Sequence, residues 1–228
     1  MFDLTFTIDA QDTTTPLTLP IDRAVMAGWT GRDPVARDKH IAELEAIGIA
    51  RPASTPIYYR VAARRLAITD SIEASGTESS GEVEFVLIGW QGRIFVGVGS
   101  DHTDRKVESY NITVSKQMCD KPIAPVLWEL EDVAGHWDRM ILRSHALIGG
   151  TRVLYQEGTL DNLLPVEELI RRGFGSGGFP DGCAVFGGTF AAKGGICPAS
   201  RFDFELVDPV LKRSIRHAYD VIELPVLG

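Results

Sequence analysis

The stretch that decides the fold is GEVEFVLI, residues 81–88 of the 228-residue chain. Its β-branched and aromatic side chains predict a strand, and its apolar second half predicts that this strand is buried. Because side chains two positions apart on a strand share a face, Glu82 and Glu84 would lie side by side. Two carboxylates at that range repel each other unless a proton or a cation lies between them. The pair is therefore a candidate cation site, with a solvated strand face as the alternative.

The next strand along the chain supplies a third carboxylate. Residues 94–98 form another apolar run, and the polar segment GSDHTDR follows it at residues 99–105. Asp101 comes directly after this strand, which makes it the natural third ligand beside Glu82 and Glu84. Hard oxygen ligands of this kind suit Mg²⁺, Mn²⁺ or Ca²⁺.

A helix is predicted upstream of these strands, over residues 33–47. Asp33 can cap its first turn and Gly48 can end it. The helix carries His40 and Glu43 at i, i+3 spacing, so their side chains share one face. The glutamate could then fix the histidine tautomer while the histidine activates a water molecule. An exposed surface pair is the alternative.

Strand patterns outnumber helical ones in the rest of the chain. Residues 1–27 are expected to form a strand followed by a connecting segment. Further strands are predicted at residues 57–61, 110–114, 152–155, 183–186, 202–207 and 214–224, and further helices at residues 130–144 and 165–172. Strands and helices do not alternate regularly, as they would in a doubly wound sheet. The sequence therefore predicts one β-rich α+β domain.

Two glycine-rich segments lie in the second half of the chain. Residues 173–178, GFGSGG, formally match a dinucleotide-binding pattern, but that loop needs a strand before it and a helix after it. Here a helix comes first and Phe179-Pro180 follows, so we reject a cofactor loop. The segment FGGTF at residues 186–190 ends a strand, and its backbone amides could meet a carboxylate. A structural turn is the alternative for this segment.

Composition and charge narrow the classes of function. A net charge of −8 and a pI near 5.1 disfavour nucleic acid as a partner, because phosphate contacts need clustered Lys and Arg. No apolar run approaches the roughly 20 residues that cross a bilayer, and residues 1–27 lack a signal-peptide pattern, so we expect a cytoplasmic protein without a membrane span. The 3 cysteines are expected to be buried free thiols, because they are widely spaced and odd in number.

The order of the motifs resembles that of the fumarylacetoacetate hydrolase superfamily, and more closely an uncharacterised bacterial branch of it (DUF2848-like). That family shows HxxE, a PxFxK-like strand, ExE, an ND-x-(S/T)-A-R-D segment, and a lysine before a PxGP-like stretch. The chain offers, in the same order, His40 with Glu43, residues 56–60, Glu82 with Glu84, residues 100–105, and Lys116 before residues 122–125. Further along, residues 156–162 resemble the family's Q-x-G-x-T-x-D-M segment, and residues 187–190 resemble its TGTP loop. The resemblance spans roughly residues 28–224.

The resemblance implies a fold and a set of site residues. The fold would be a mixed β-sandwich roll, formed by a single catalytic domain over residues 1–228, with a short lid helix in the region of about residues 28–55. Metal ligands for Mg²⁺ or Mn²⁺ would be Glu82, Glu84 and Asp101. The catalytic groups would be His40, Glu43 and Lys116. Substrate would be bound by Arg60, Arg105, Gln156, Gly188 and Thr189.

The resemblance also implies a reaction. The chain would be a metal-dependent hydrolase that cleaves a C–C bond in an acylpyruvate-like diketo acid, and it would form a homodimer. Departures from the family pattern, at Arg60, Ser100, Asp104, Gly187 and Phe190, leave the metal ligands intact but alter positions that would shape the pocket. An oxo-acid decarboxylase, isomerase or hydratase on the same scaffold is therefore the alternative, as is a non-catalytic small-ligand binding protein.

Overall fold

Runs of β-branched and aromatic residues form most of the regular structure. A computed structural model describes residues 1–10, 13–46 and 51–227, with the backbone alone at positions 40, 43, 44 and 46. The strands are β1 (Phe2–Ala10), β2 (Thr13–Ile21), β3 (Arg23–Gly28), β4 (Ile57–Val61), β5 (Leu66–Ala67), β6 (Ser71–Ser75), β7 (Ser79–Ser80), β8 (Val83–Trp90), β9 (Arg93–Ser100), β10 (Thr103–Asp104), β11 (Lys121–Pro122), β12 (Val126–Glu129), β13 (Ile141–Ile148), β14 (Thr151–Thr159), β15 (Cys183–Phe186), β16 (Arg201–Asp208) and β17 (Arg213–Leu224). The helices are α1 (Pro34–Ala46), α2 (Arg105–Glu108), α3 (Ile112–Met118), α4 (Leu130–Ala134) and α5 (Val166–Phe174).

The larger sheet places the glutamate strand near its centre. Its strand order is β2-β1-β12-β9-β8-β15-β3-β4. β8 pairs antiparallel with β9 on one side and with β15 on the other. Every residue of β8 except Trp90 is buried, because both faces of the sheet are covered. The strands predicted from the two apolar runs of residues 82–98 are therefore confirmed.

The smaller sheet has the order β14-β13-β16-β17-β6. Burial alternates along β16, which gives it an inner face with Phe202 and Phe204. These rings share one core with Phe85 of the larger sheet, so the two sheets pack face to face. The other face of the larger sheet forms a second core that includes Val86 and Phe186. The predicted β-rich α+β class is confirmed.

The helix predicted over residues 33–47 is confirmed as α1. Asp33 caps it as expected, since its Oδ1 accepts a hydrogen bond of 2.8 Å from the N–H of Val35. Just before the helix, Arg32 donates to the carbonyl oxygen of Leu163 at 2.8 Å and pairs with Asp138 at 2.6 Å. The start of α1 is thus tied to the segment that precedes α5.

The segment at residues 110–114 was predicted as a strand, and that prediction is wrong. The Oδ1 atom of Asn111 accepts a hydrogen bond of 3.0 Å from the N–H of Val114, which caps α3. Asp104 caps α2 in the same way, through the N–H of Val107 at 2.9 Å. The two caps set the conformation of a partly exposed segment in which strand propensity is a weak guide.

Two further local predictions need correction. The helix predicted over residues 130–144 is α-helical only in α4, a short 3-10 helix follows at Trp137–Arg139, and Ile141 already begins β13. β13 lies between β14 and β16, so ladder pairing on both sides decides its conformation. The connecting segment expected within residues 1–27 consists of β2 and β3, and β2 pairs with the whole length of β1.

Two expectations from composition can be compared with the structure. Cys119 and Cys183 are buried free thiols, whereas Cys197 is a free thiol that is only half-buried. In the part of the chain that the structure describes, none of the helices is both long and apolar enough to cross a bilayer.

Candidate metal centre

Three carboxylates meet where β8 begins and β9 ends. The antiparallel register sets Val83 opposite Ser100, so Glu82 and Asp101 flank the same end of the ladder. The N–H of Asp101 donates to the carbonyl oxygen of Glu82 at 2.9 Å, which closes this end. One carboxylate oxygen each of Glu82, Glu84 and Asp101 lies within 4.8 Å of the other two. The structure thus brings together the three ligands that the sequence predicts.

The spacing and chemistry of the three carboxylates fit a hard divalent cation. Two ligands bound to one ion at about 2.1–2.4 Å can be at most about 4.2–4.8 Å apart, and these oxygens meet that limit. Asp101 is fully buried and Glu84 is 3% exposed, so both carboxylates have left bulk water. Carboxylate oxygens are the preferred ligands of Mg²⁺, Mn²⁺ and Ca²⁺. Glu82, Glu84 and Asp101 could therefore hold such an ion.

Glu84 is the carboxylate that depends most on a cation. Burial raises its pKa well above the ordinary glutamate value, and the negative charges of Asp101 and Glu82 raise it further. The opposing contributions come from Lys116 and from the N–H of Gly188, which donates to Oε2 of Glu84 at 2.7 Å. Without a bound ion, Glu84 therefore keeps its proton to a higher pH than an ordinary glutamate. A divalent cation would stabilise its ionised form.

Two lysines reach Asp101 from different elements. Nζ of Lys116, on α3, lies 2.5 Å from Oδ2 of Asp101, and Nζ of Lys121, on β11, lies 3.0 Å from Oδ1. Burial alone would raise the pKa of Asp101, but the two ammonium groups outweigh it and hold the pKa below the ordinary aspartate value. For Lys116, burial lowers the pKa, and Asp101 with Glu82 reverses this and raises it above the ordinary lysine value. Both Asp101 and Lys116 are therefore charged.

Arg105 is committed to protein contacts. Its guanidinium lies 3.2 Å from Oε1 of Glu82 and donates to Oε2 of Glu108 at 2.7 Å and to Oγ of Ser80 at 2.7 Å. Burial acts to lower its pKa, but Glu82 and Glu108 raise it above the ordinary arginine value. The sequence assigned Arg105 to substrate, and the structure places it where it orients the Glu82 carboxylate.

Gln156 joins the two sheets behind the carboxylates. Its Oε1 accepts from the N–H of Val83 at 3.0 Å and from Oγ of Ser144 at 3.2 Å. Its Nε2 donates to Oγ1 of Thr189 at 2.8 Å and to the carbonyl oxygen of Phe190 at 2.7 Å. Thr189 in turn donates to the carbonyl oxygen of Val83 at 2.6 Å. Gln156 and Thr189 thus hold the residue that separates the two glutamates.

Replacing Gln156 with Ala is expected to destabilise the protein by about 3 kcal/mol, because it leaves buried backbone groups unpaired and opens a cavity. Chemical denaturation followed by circular dichroism measures this. The matched control is Gln117→Ala, whose side chain accepts one exposed hydrogen bond from the N–H of Ala62, and it should cost less than about 1 kcal/mol. Equal losses in the two variants would contradict a bracing role for Gln156.

Arg60, a predicted site residue, does not lie on the face of the sheet that carries the carboxylates. Arg60 is exposed and pairs across the ladder with Val25, whose side chain lies in the core between the sheets. Glu84 lies two positions before Val86 on β8, so the two side chains share a face, and Val86 belongs to the core on the opposite face of the sheet. Arg60 and Glu84 therefore project from opposite faces of the larger sheet. The side chains of His40 and Glu43 lie outside the described residues.

The structure adds a buried hydrogen-bond network that the sequence did not reveal. The hydroxyl of Tyr219 lies 2.8 Å from Oγ of Ser100 and 2.8 Å from Nδ1 of His102. The other ring nitrogen of His102 lies 2.8 Å from Oγ of Ser79. Burial lowers the pKa of His102 to about 3, so the ring is neutral and serves as a structural partner. Gly81 permits this approach, because a Cβ there would lie 2.7 Å from the Tyr219 hydroxyl oxygen.

Lys121 and Tyr219 were both missed, for different reasons. Lys121 stands two positions after Cys119 in a stretch without a recognisable pattern, and its nearness to the carboxylates depends on the pairing of β11 with β5. Tyr219 lies 119 positions after Ser100, and nothing local predicts their contact. The one available signal was Gly81 itself, since a glycine beside a buried strand often marks a close approach.

The face-to-face sheets identify the fold: it is the fold of the fumarylacetoacetate hydrolase superfamily. It superimposes with a TM-score of 0.64 on 2-keto-3-deoxy-D-arabinonate dehydratase complexed with magnesium and 2,5-dioxopentanoate, at 13% identity over 90% of this chain and 74% of that one. Cg1458 with inhibitor gives 0.64 at 14% identity over 93% and 81%. The 4-oxalocrotonate decarboxylase from Pseudomonas putida G7, complexed with calcium and acetate, gives 0.53 at 16% identity over 87% and 77%.

Within that class the family is defined by sequence. The model of a family described as "Protein of unknown function (DUF2848)" matches residues 27–219, and the chain belongs to this family. No curated protein matches the sequence. The resemblance to the DUF2848 family, inferred from the order of the motifs, is confirmed.

Proposed function

We propose that this protein is a divalent-metal-dependent enzyme that acts on a small 2-oxo acid. The observation that carries the proposal is the cluster formed by the partly exposed Glu82 and the buried Glu84 and Asp101. It is spaced for one ion and has the ammonium group of Lys116 beside it. Fold relatives lend support, because one is named with magnesium and 2,5-dioxopentanoate and another with calcium and acetate. Mg²⁺ or Mn²⁺ is the proposed ion.

A bound divalent cation would supply Lewis acidity to the oxo-carboxylate end of the substrate. The chain's own groups would position the reactants around it. Arg105 holds Glu82 and the N–H of Gly188 holds Glu84, so the two glutamates are oriented before anything binds. Lys116 contributes a positive charge for a substrate carboxylate, and the ring of Tyr59 lies 5.9 Å from its Nζ.

Hydrolysis of a C–C bond is the first candidate reaction. In an acylpyruvate, water would attack the carbonyl distant from the carboxylate, with His40 and Glu43 of α1 accepting its proton. The bond between that carbonyl carbon and the neighbouring methylene then breaks. One product is a carboxylic acid, and the other leaves as an enolate that takes up a proton to become pyruvate. Atoms balance with one water consumed.

A lyase reaction is the second candidate. It is favoured by the names of two fold relatives, a dehydratase and a decarboxylase. Such a reaction would use the same carboxylates and Lys116, but no water molecule would attack a carbonyl. Hydrolysis and lyase chemistry therefore differ in whether α1 must supply a base.

To test the proposal, protein loaded with Mg²⁺ or Mn²⁺ is mixed with each of a panel of 2,4-diketo acids. Turnover is measured as the loss of enol absorbance. Products are then identified by mass spectrometry in H₂¹⁸O, because only hydrolysis places the heavy oxygen in the released carboxylic acid. Formation of CO₂ or of a dehydrated product, with no labelled carboxylic acid released, would support the lyase. Absence of turnover and of metal binding would overturn both.

Replacing His40 with Ala is expected to abolish hydrolysis while Mn²⁺ still binds, because the variant removes the proposed base and spares the ligands. Turnover and calorimetric titration measure the two effects. His145→Ala is the matched control, since His145 lies on β13 of the smaller sheet, and full activity is expected there. Turnover that survives His40→Ala would exclude a role in activating water.

The proposal includes the expected cellular form, a cytoplasmic homodimer. Light scattering coupled to size-exclusion chromatography measures the oligomeric state directly, and a single-chain mass would contradict this part of the proposal.

A further inference from the structure

The two lysines on Asp101 are not equivalent. Lys121 is fully buried, and its Nζ contacts Oδ1 of Asp101 and also donates to the carbonyl oxygen of His102. Lys116 keeps 8% of its side chain exposed, and its Nζ lies 3.8 Å from Oε2 of Glu82. Lys121 is thus held from two sides, whereas Lys116 reaches Asp101 from the end of the cluster where Glu82 is partly exposed.

An ammonium and a divalent ion on the same oxygen, Oδ2 of Asp101, would repel each other. Nζ of Lys116 lies 2.5 Å from this oxygen, and an ion would bind it at about 2.1–2.4 Å. An ammonium that stayed in place would then lie within about 5 Å of the ion, in surroundings where charges are poorly screened. Oδ1 is the poorer alternative, because the Lys121 ammonium lies 3.0 Å from it and is buried and held by the carbonyl oxygen of His102 as well.

We propose that Lys116 and the divalent cation are alternative partners of Oδ2 of Asp101, and that Lys121 is the positioning residue that holds Oδ1 in both states. The inference rests on the proposed function, since it needs a cation to bind. When the ion arrives, the Lys116 ammonium is released toward Glu82 and the Tyr59 ring. Its charge then becomes available to the carboxylate of a substrate, so cation binding precedes tight binding of the acid.

The test measures Mn²⁺ affinity by calorimetric titration of the full chain. Lys116→Met should bind Mn²⁺ at least about tenfold more tightly than wild type, because the competing charge is gone. Lys116→Arg retains a positive charge and should bind no more tightly than wild type. Lys121→Met removes the same charge from beside the other oxygen of Asp101. Its Mn²⁺ affinity should not exceed that of wild type, because Asp101 loses the contact that fixes its position.

The outcomes separate this inference from the proposed function. If wild type binds Mn²⁺ in a Glu84-dependent way and Lys116→Met binds it no more tightly, the exchange of Lys116 for the cation on Asp101 is overturned and the proposed function is not. Equal gains in Lys116→Met and Lys121→Met would also overturn it, because they would reveal a general effect of charge. Absence of Mn²⁺ binding in wild type and in Lys116→Met would overturn the proposed function as well.

A second measurement covers the case in which a metal-free variant is poorly folded. Mn²⁺ should raise the melting temperature of Lys116→Met by more than it raises that of wild type, because the ion replaces the missing counter-charge. A smaller rise in Lys116→Met than in wild type would overturn the exchange.

Discussion

Replacing Glu84 with Gln is expected to remove the binding of Mg²⁺ and Mn²⁺ and to lower the proposed metal-dependent turnover by about a hundredfold or more. The reason is that the carboxylate of this buried side chain belongs to the cluster, where the N–H of Gly188 holds its Oε2. The amide keeps the size of the side chain but supplies no negative charge. Calorimetric titration with each metal and steady-state assays measure the two losses.

In the metal-free protein, the same variant changes how stability depends on pH, and at high pH it removes a loss of stability that wild type suffers. The pKa of Glu84 is raised on folding, so above the ordinary value of 4.5 the folded state holds a proton that the unfolded state has lost. Stability without metal therefore falls as the pH rises from that value toward the raised pKa, and this contribution disappears in Glu84→Gln. Denaturation in the presence of a chelator, repeated across this range of pH, measures the difference.

A matched control for Glu84→Gln is Glu73→Gln, because Glu73 is an exposed glutamate on β6. This variant should bind both metals as wild type does and should leave the pH dependence of stability unchanged. If Glu84→Gln bound Mn²⁺ with the affinity of wild type, Glu84 would not be a ligand.

Replacing Gly188 with Ala destabilises the protein by about 3–5 kcal/mol, a large part of the stability of an ordinary domain. Two effects add. The residue has φ of +102°, which L side chains rarely adopt, and a Cβ built there would lie 1.8 Å from Oγ1 of Thr30. Relief of the clash would move the N–H that holds Glu84. Denaturation curves and Mn²⁺ titrations measure the losses of stability and affinity.

Two variants separate the causes of the Gly188 effect. Gly135→Ala is the matched control, since Gly135 has φ of −65° and its Cβ would meet nothing within 4 Å, so the cost should be within about 0.5 kcal/mol. Combining Gly188→Ala with Thr30→Ala should recover the part due to the clash and leave the part due to backbone strain. Wild-type stability in Gly188→Ala would contradict the close contact.

The central strands and the carboxylate pair were accessible to sequence reasoning because their signals are local. The apolar run after Glu84 is long enough to indicate a buried strand, and the alternation of faces places Glu82 beside Glu84 whatever the rest of the chain does. Asp101 followed because two adjacent strands joined by a short turn must bring their far ends together. A contact between neighbouring strands in sequence is the easiest long-range contact to infer.

Other features depended on pairings that the sequence does not state. Arg60 was assigned to the site from a motif, but its face is set by the register of β4 against β3. The sequence also did not indicate which of the two lysine partners of Asp101 is held more firmly. That distinction depends on the complete burial of Lys121, which only the structure gives. The segment around Val114 misled because its β-branched residues suggested a strand where Asn111 caps a helix.

The network behind the carboxylates also governs when the site can be completed. All three carboxylates leave the ribosome early, on a single hairpin, but the Tyr219 hydroxyl that supports Ser100 and His102 comes 119 positions after Ser100. A nascent chain therefore carries the three carboxylates without this support for as long as it takes to synthesise more than a hundred residues. The carboxylate cluster thus gains its full support only when synthesis is nearly complete, although its side chains are close together in sequence.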